Sequence, residues 1–120
     1  MQDPIKRLTS FIVEFRKARD WEQFHTPKDM ALSLTLEAAE VLEHFQFKNE
    51  ATAKEYVKTH KADIAEELAD VFFWTLMMSH DFGIDLEKAL DEKMKKNALH
   101  YPVEKAKGNA KKYTELQKES

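Results

Sequence analysis

Several residue types are scarce or missing in this chain of 120 residues, and each shortage excludes something. There is no cysteine, so neither a disulfide framework nor thiolate chemistry is available, and the redox compartment is left open. Only two glycines and three prolines occur, while Ala, Leu, Glu and Lys are plentiful. Few tight turns can be built from that composition, which favours long helices and predicts an all-α protein. Long apolar runs are also lacking. The longest, Val71 to Met78, falls far short of the roughly 20 residues needed to span a bilayer, and none follows Met1-Gln2-Asp3-Pro4. A net charge of -3 argues against nucleic acid as the partner, because phosphate binding favours a basic surface. The expected setting is therefore the cytoplasm, with neither membrane nor nucleic acid as a partner.

What is present is helical periodicity. Apolar residues at 3.6-residue spacing outline four main helices, over about 5–18, 27–47, 61–80 and 86–99. Thr26 and Pro27 suit the N-cap and first turn of the second helix, Gly83 the end of the third, and Pro102 follows the fourth. A short helical piece around 51–59 follows Asn49. Residues 1–103 are expected to form the domain. The Lys-rich stretch 104–120 reads as a tail, ordered only where Tyr113 and Leu116 find something to dock on.

The most informative feature is an internal repeat. Leu34-x-x-Glu37-Ala38-x-Glu40-Val41 recurs thirty positions later as Ile64-x-x-Glu67-Leu68-x-Asp70-Val71. With each first acid set at zero on a helix advancing about 100° per residue, the apolar neighbours fall on an arc of roughly 20° to 140° in both segments. Met30, Leu34, Ala38, Val41, Leu42 and Phe45 occupy it in one; Ile64, Leu68, Val71, Phe72, Thr75 and Met78 occupy it in the other. Glu37 and Glu67 then sit at the edge of the buried face, and Glu40 and Asp70 lie one step nearer solvent. Antiparallel packing of the two helices would bring all four acids to one seam.

Carboxylates crowded at a seam repel one another unless a cation lies between them. An oxygen-only donor set suits magnesium, with manganese as the alternative, and magnesium commonly shares its coordination with substrate phosphates. For any single pair the competing reading is a solvated helical face; duplication of the pair beside the core favours metal binding. A carboxylate-bridged di-iron bundle would need Glu-x-x-His on two facing helices. The spacing occurs here only as Glu22-x-x-His25, in a loop, so that class is set aside. His25, His44 and His80 are expected to be surface or capping residues, and Glu43, near 240° on the same projection, to be solvent-exposed.

With these residues in place the chain resembles the all-α nucleoside triphosphate pyrophosphohydrolases of the MazG-like superfamily, and within it the dCTP pyrophosphatase branch. The family pattern of E-x-x-E, a spacer and E-x-x-D reads here Glu37-Ala38-Ala39-Glu40, 26 residues, then Glu67-Leu68-Ala69-Asp70. Further blocks match in order: Arg19-Asp20-Trp21-Glu22-Gln23-Phe24-His25, Phe45-Gln46-Phe47-Lys48, Asn97 with Tyr101-Pro102, and Lys112-Tyr113-Thr114. The resemblance implies a four-helix bundle that hydrolyses a (deoxy)nucleoside triphosphate, dCTP or a related nucleotide, to monophosphate and pyrophosphate. It further implies homotetramers and nucleotide-pool control or sanitation. Glu37, Glu40, Glu67 and Asp70 would hold magnesium and serve catalysis, one of them, Glu40 for instance, as a general base. Lys93 and Asn97 would face the phosphates, with Tyr101 also in contact with substrate, and Trp21, Phe47 and Trp74 would lie around the base. Phe47 stands where close members of that branch carry Trp, and Ile12 where one carries a polar residue, so the base is left open. A non-catalytic helical interaction module, whose acidic seam pairs subunits or binds a basic partner, is the rival from another class.

Overall fold

The structure is a computed structural model, and it describes residues 3–118; Met1, Gln2, Glu119 and Ser120, at the outer ends of the expected domain and tail, lie outside it. Among the described residues there are seven α-helices, one 3-10 turn and no strand. They fall into two compact units, one ending at Ile84 and one beginning at Asp85.

The first unit holds α1 (Pro4–Ala18), the 3-10 turn Glu22–Phe24, α2 (Pro27–Glu43), α3 (Glu50–Thr59) and α4 (Lys61–Phe82). Capping accounts for where these helices start. The Asp3 carboxylate accepts from the Ile5 N–H with Pro4 in the first turn, the Thr26 hydroxyl accepts from Asp29 N–H before Pro27, and the Asn49 side chain accepts from Thr52 N–H. Asn49, which interrupts the apolar pattern, thus does so by capping α3. At the other end of α4, Gly83 takes the left-handed conformation (φ 69°), where a residue without Cβ is unstrained. The second helix ends sooner than its periodicity suggests: hydrogen-bonded turns at Phe45 and Lys48 replace its last turn.

Helix α4 is the hub, packing against α2, α1 and α3. Contacts between α2 and α4 run in opposite order along the two helices: His25 just before α2 meets Trp74, and His44 just after it meets Glu67. The two helices are therefore antiparallel. Met30, Leu76 and Met77 are completely buried, whereas Ala38, Leu42, Leu68 and Phe72, placed on the core arc by helical projection, are exposed. The reason is geometric. Two helices in contact cover only a narrow strip of each other, and the outer part of each apolar arc lies beyond it.

One ion pair ties the ends of this unit together. Arg16, on α1, is 4% exposed and donates from both terminal nitrogens to Asp81 on α4, at 2.8 and 2.9 Å. The same guanidinium lies 3.4 Å from His25 Nδ1. Hydrogen bonding to Arg16 holds the Asp81 carboxyl below its ordinary range, while burial and then the Arg16 charge push His25 down.

The second unit holds α5 (Leu86–His100), α6 (Val103–Ala106) and α7 (Tyr113–Lys118). Asp85 caps α5. The Tyr113 ring stacks on His100 at 4.0 Å and Leu116 is buried, so the Lys-rich stretch carries two short helices with fixed anchors. No helix among the described residues is long and apolar enough to cross a membrane.

Asp81→Asn should destabilise the protein by about 2–3 kcal/mol at neutral pH, since removing one partner strands a buried guanidinium. Because the folded-state pKa of Asp81 is lowered, its contribution is complete above the unfolded value near 4 and is lost as pH falls through the lower folded value. Thermal melts of wild type and variant should therefore differ at pH 7 and draw together as pH falls below the unfolded value near 4.

Candidate metal and nucleotide site

The antiparallel packing brings Glu37 and Glu40 of α2 to Asp70 of α4. One carboxylate oxygen from each lies within 4.8 Å of the others. Spacing of three residues puts Glu37 and Glu40 on one helical face, and the projection is reproduced in their burial: Glu37 and Glu67 are half-buried, Glu40 and Asp70 exposed. Among the described residues, Glu37 Oε2 is buried with no hydrogen-bond partner. Burial first, and then the neighbouring Glu40 and Asp70, push the Glu37 carboxyl up to about 7. A carboxylate in that setting either keeps its proton or meets a cation.

Glu67 stands differently. It is not within that group of three, and its Oε2 lies 2.7 Å from His44 Nε2. The other ring nitrogen of His44 is 2.6 Å from the Tyr56 hydroxyl. His44 occupies the C-cap position of α2, in line with a capping residue, but its side chain is only 15% exposed and makes two polar contacts that no sequence spacing revealed. Its partners lie 12 and 23 positions away, on two other helices, which is why the sequence was silent.

The aromatic residues expected around a base are dispersed in kind. Trp74, half-buried on α4, packs edge-on against His25 and Phe73. Trp21 packs edge-on against Phe15, whose ring lies under the Arg19 guanidinium. Phe47 is 93% exposed. Between α1 and α4 a pocket of about 330 Å³ is lined by Leu8, Phe11, Ile12, Phe72, Phe73 and Asp70, among others. It is apolar except where Asp70 enters. In the second unit, Lys93 and Asn97 lie on α5, exposed and half-buried, with the Asn97 amide 3.7 Å from Met94 sulfur, and Tyr101 is edge-on to Tyr113.

A helical frame that sets an acid triad beside an apolar pocket defines a class of α-helical proteins equipped to hold a cation next to a flat or apolar ligand. The comparisons narrow the class. The MazG-like family model matches residues 32–116, and the chain belongs to the MazG-like family. It is 37% identical over 116 residues to dCTP pyrophosphatase 1 of Rattus norvegicus and 36% identical to that of Homo sapiens, in each case across 95% of this chain and 66% of the relative. The chain thus spans about two-thirds of the length of those curated relatives. A crystal structure of a pyrophosphatase from Archaeoglobus fulgidus superposes with a TM-score of 0.81 at 34% identity, covering 85% of this chain and 95% of that one.

The raised pKa of Glu37 makes a stability prediction whose sign is opposite to that of Asp81. Between the unfolded value near 4.5 and about 7 the folded state holds a proton that the unfolded chain has lost, so the metal-free protein loses stability as pH rises through that window. Glu37→Gln should raise the melting temperature in EDTA at pH 8 and leave it nearly unchanged at pH 4.

Proposed function

We propose that this protein is a metal-dependent nucleoside triphosphate pyrophosphohydrolase, acting on dCTP or a related (deoxy)nucleoside triphosphate and releasing the monophosphate and pyrophosphate. The observation that carries this reading is the Glu37, Glu40, Asp70 triad with its orphaned, buried Glu37 Oε2. Membership of the MazG-like family and similarity to dCTP pyrophosphatases support it. The donor set fits magnesium or manganese: it is made of carboxylate oxygens alone, and part of it is open to solvent, where waters and phosphate oxygens complete the coordination of such ions.

When bound, the ion supplies charge neutralisation for the triphosphate and a more acidic water. The chain's own residues hold and orient. Glu37, Glu40 and Asp70 are the proposed ligands, joined by Glu67 through the oxygen that His44 leaves free. The apolar pocket beside Asp70 offers a surface for the base, with Trp74, Trp21 and Phe47 as further aromatic contacts; stacking on such rings stabilises a base by roughly 1–3 kcal/mol. Lys93, Asn97 and Tyr101 are proposed as substrate contacts on the family resemblance. Phe11, Leu32, Leu36, Leu42, Leu68 and Phe47 are each more than half exposed, which supports self-association; a homotetramer is proposed on the family resemblance. A role in nucleotide-pool control follows from the reaction.

With magnesium and dCTP, Glu37→Gln, Glu40→Gln and Asp70→Asn should each lower pyrophosphate release by on the order of 100-fold or more, beyond the 10–100-fold range of outer residues around a metal. Wild-type turnover in all three would remove the proposal and favour the non-catalytic module. A panel of nucleotides followed by pyrophosphate release identifies the base. Sedimentation at micromolar concentration should return four times the 14.1 kDa chain mass.

A further inference from the structure

The acid triad leaves unexplained a polar chain that runs beside it. Tyr56, His44 and Glu67 come from α3, the end of α2 and α4, and their contacts at 2.6 and 2.7 Å link the three elements. The chemistry sets their direction. A carboxylate can only accept, so Nε2 of His44 carries the hydrogen that meets Glu67; in the neutral ring Nδ1 then accepts, and the Tyr56 hydroxyl donates to it. Tyr56 is itself held. Its ring stacks on His60 at 3.9 Å with planes 6° apart, and Lys48 Nζ lies 4.1 Å from its centroid while donating to the His44 carbonyl at 2.6 Å. Phe45 closes on Tyr56 edge-on.

We infer that His44 is a positioning residue: held by Tyr56, it fixes the Glu67 carboxylate by one oxygen and leaves the other to the cation held by Glu37, Glu40 and Asp70. This rests on the metal-binding reading above. A free glutamate side chain must surrender several rotations when it takes up an ion, and one already held by a short hydrogen bond surrenders fewer. The same logic makes the outer partners of metal-bound side chains costly to remove. Packing alone would be served by an apolar ring at position 44, which lies among Phe45 and Tyr56; a histidine with both nitrogens engaged serves orientation. Helix α3 acquires a role by this route, since it contributes Tyr56, with His60 at its C-cap, and no acid of the repeat.

The test is Mn2+ binding by the full chain without nucleotide, followed by electron paramagnetic resonance of the free ion, in wild type, Glu40→Gln, His44→Phe, His44→Gln and Tyr56→Phe. His44→Phe keeps the ring and removes both polar bonds; affinity should fall by roughly 10–100-fold. A glutamine amide reaches about where Nε2 stood and can donate to Glu67, so His44→Gln should recover affinity to within about threefold of wild type, a rescue that simple loss of packing would not allow. Tyr56→Phe leaves Nδ1 without its donor and should weaken binding by about three- to tenfold. Wild-type affinity in both His44→Phe and Tyr56→Phe overturns the inference, as does failure of His44→Gln to recover. Should His44→Phe not fold, the glutamine and Tyr56 variants decide by the same criteria. Glu40→Gln separates the two layers: if it binds Mn2+ as wild type does, the metal-binding reading fails and the His44 inference with it, whereas loss there with an unaffected Tyr56→Phe and His44→Phe overturns the inference alone.

Discussion

The structure depends on one unfavourable interaction, the mutual repulsion of Glu37, Glu40 and Asp70 at the edge of the α2–α4 contact. Left to themselves these groups would move apart or keep a proton, and Glu37, raised to about 7, shows the second response. What holds them in place is the packing of α4 on α2, with Met30, Leu76 and Met77 fully buried. Apolar burial therefore maintains a charge arrangement that electrostatics alone would disperse. A cation turns the same arrangement from a cost into a binding energy, which links the core to the proposed chemistry.

Around that seam the fold places groups that restrain the helices from outside. At one end of α4 the Arg16–Asp81 pair joins α1 to α4 and sets the environment of His25, which packs on Trp74. Towards the other end, His44 joins α2 and α3 to Glu67. The two clamps differ in chemistry. One is a charged fork largely withdrawn from water; the other is a directed series of hydrogen bonds from phenol to imidazole to carboxylate. Both cross between helices distant in sequence, so they add to the antiparallel order of α2 and α4 without being part of its apolar strip.

The proposed reaction would give the apolar pocket a role. A cavity lined by Phe11, Ile12, Phe72 and Phe73 would be unremarked in a helical protein were it not entered by Asp70. Through that residue the apolar space and the carboxylate oxygens are contiguous, which is the arrangement the proposed hydrolysis of a nucleoside triphosphate calls for.

Much of this was legible in the sequence because it is written in local periodicity. Capping at Thr26, the stop at Gly83 and the half-buried placement of Glu37 and Glu67 against exposed Glu40 and Asp70 all follow from spacing along a single helix. The exposure of Leu42, Leu68 and Phe72 was not legible, because periodicity says which face of a helix is apolar and not how wide a strip its neighbour covers. Nor were the engagement of Glu67 by His44 and of Asp81 by Arg16, which join residues 23 and 65 positions apart. The sequence by itself determined the helices, their polarity and the identity of the acids, since these depend on neighbours three and four residues away. Only the tertiary structure decided which acids meet one another and which meet a histidine or an arginine, since a hydrogen bond is made by proximity in space and its direction by the groups that packing brings within 3 Å.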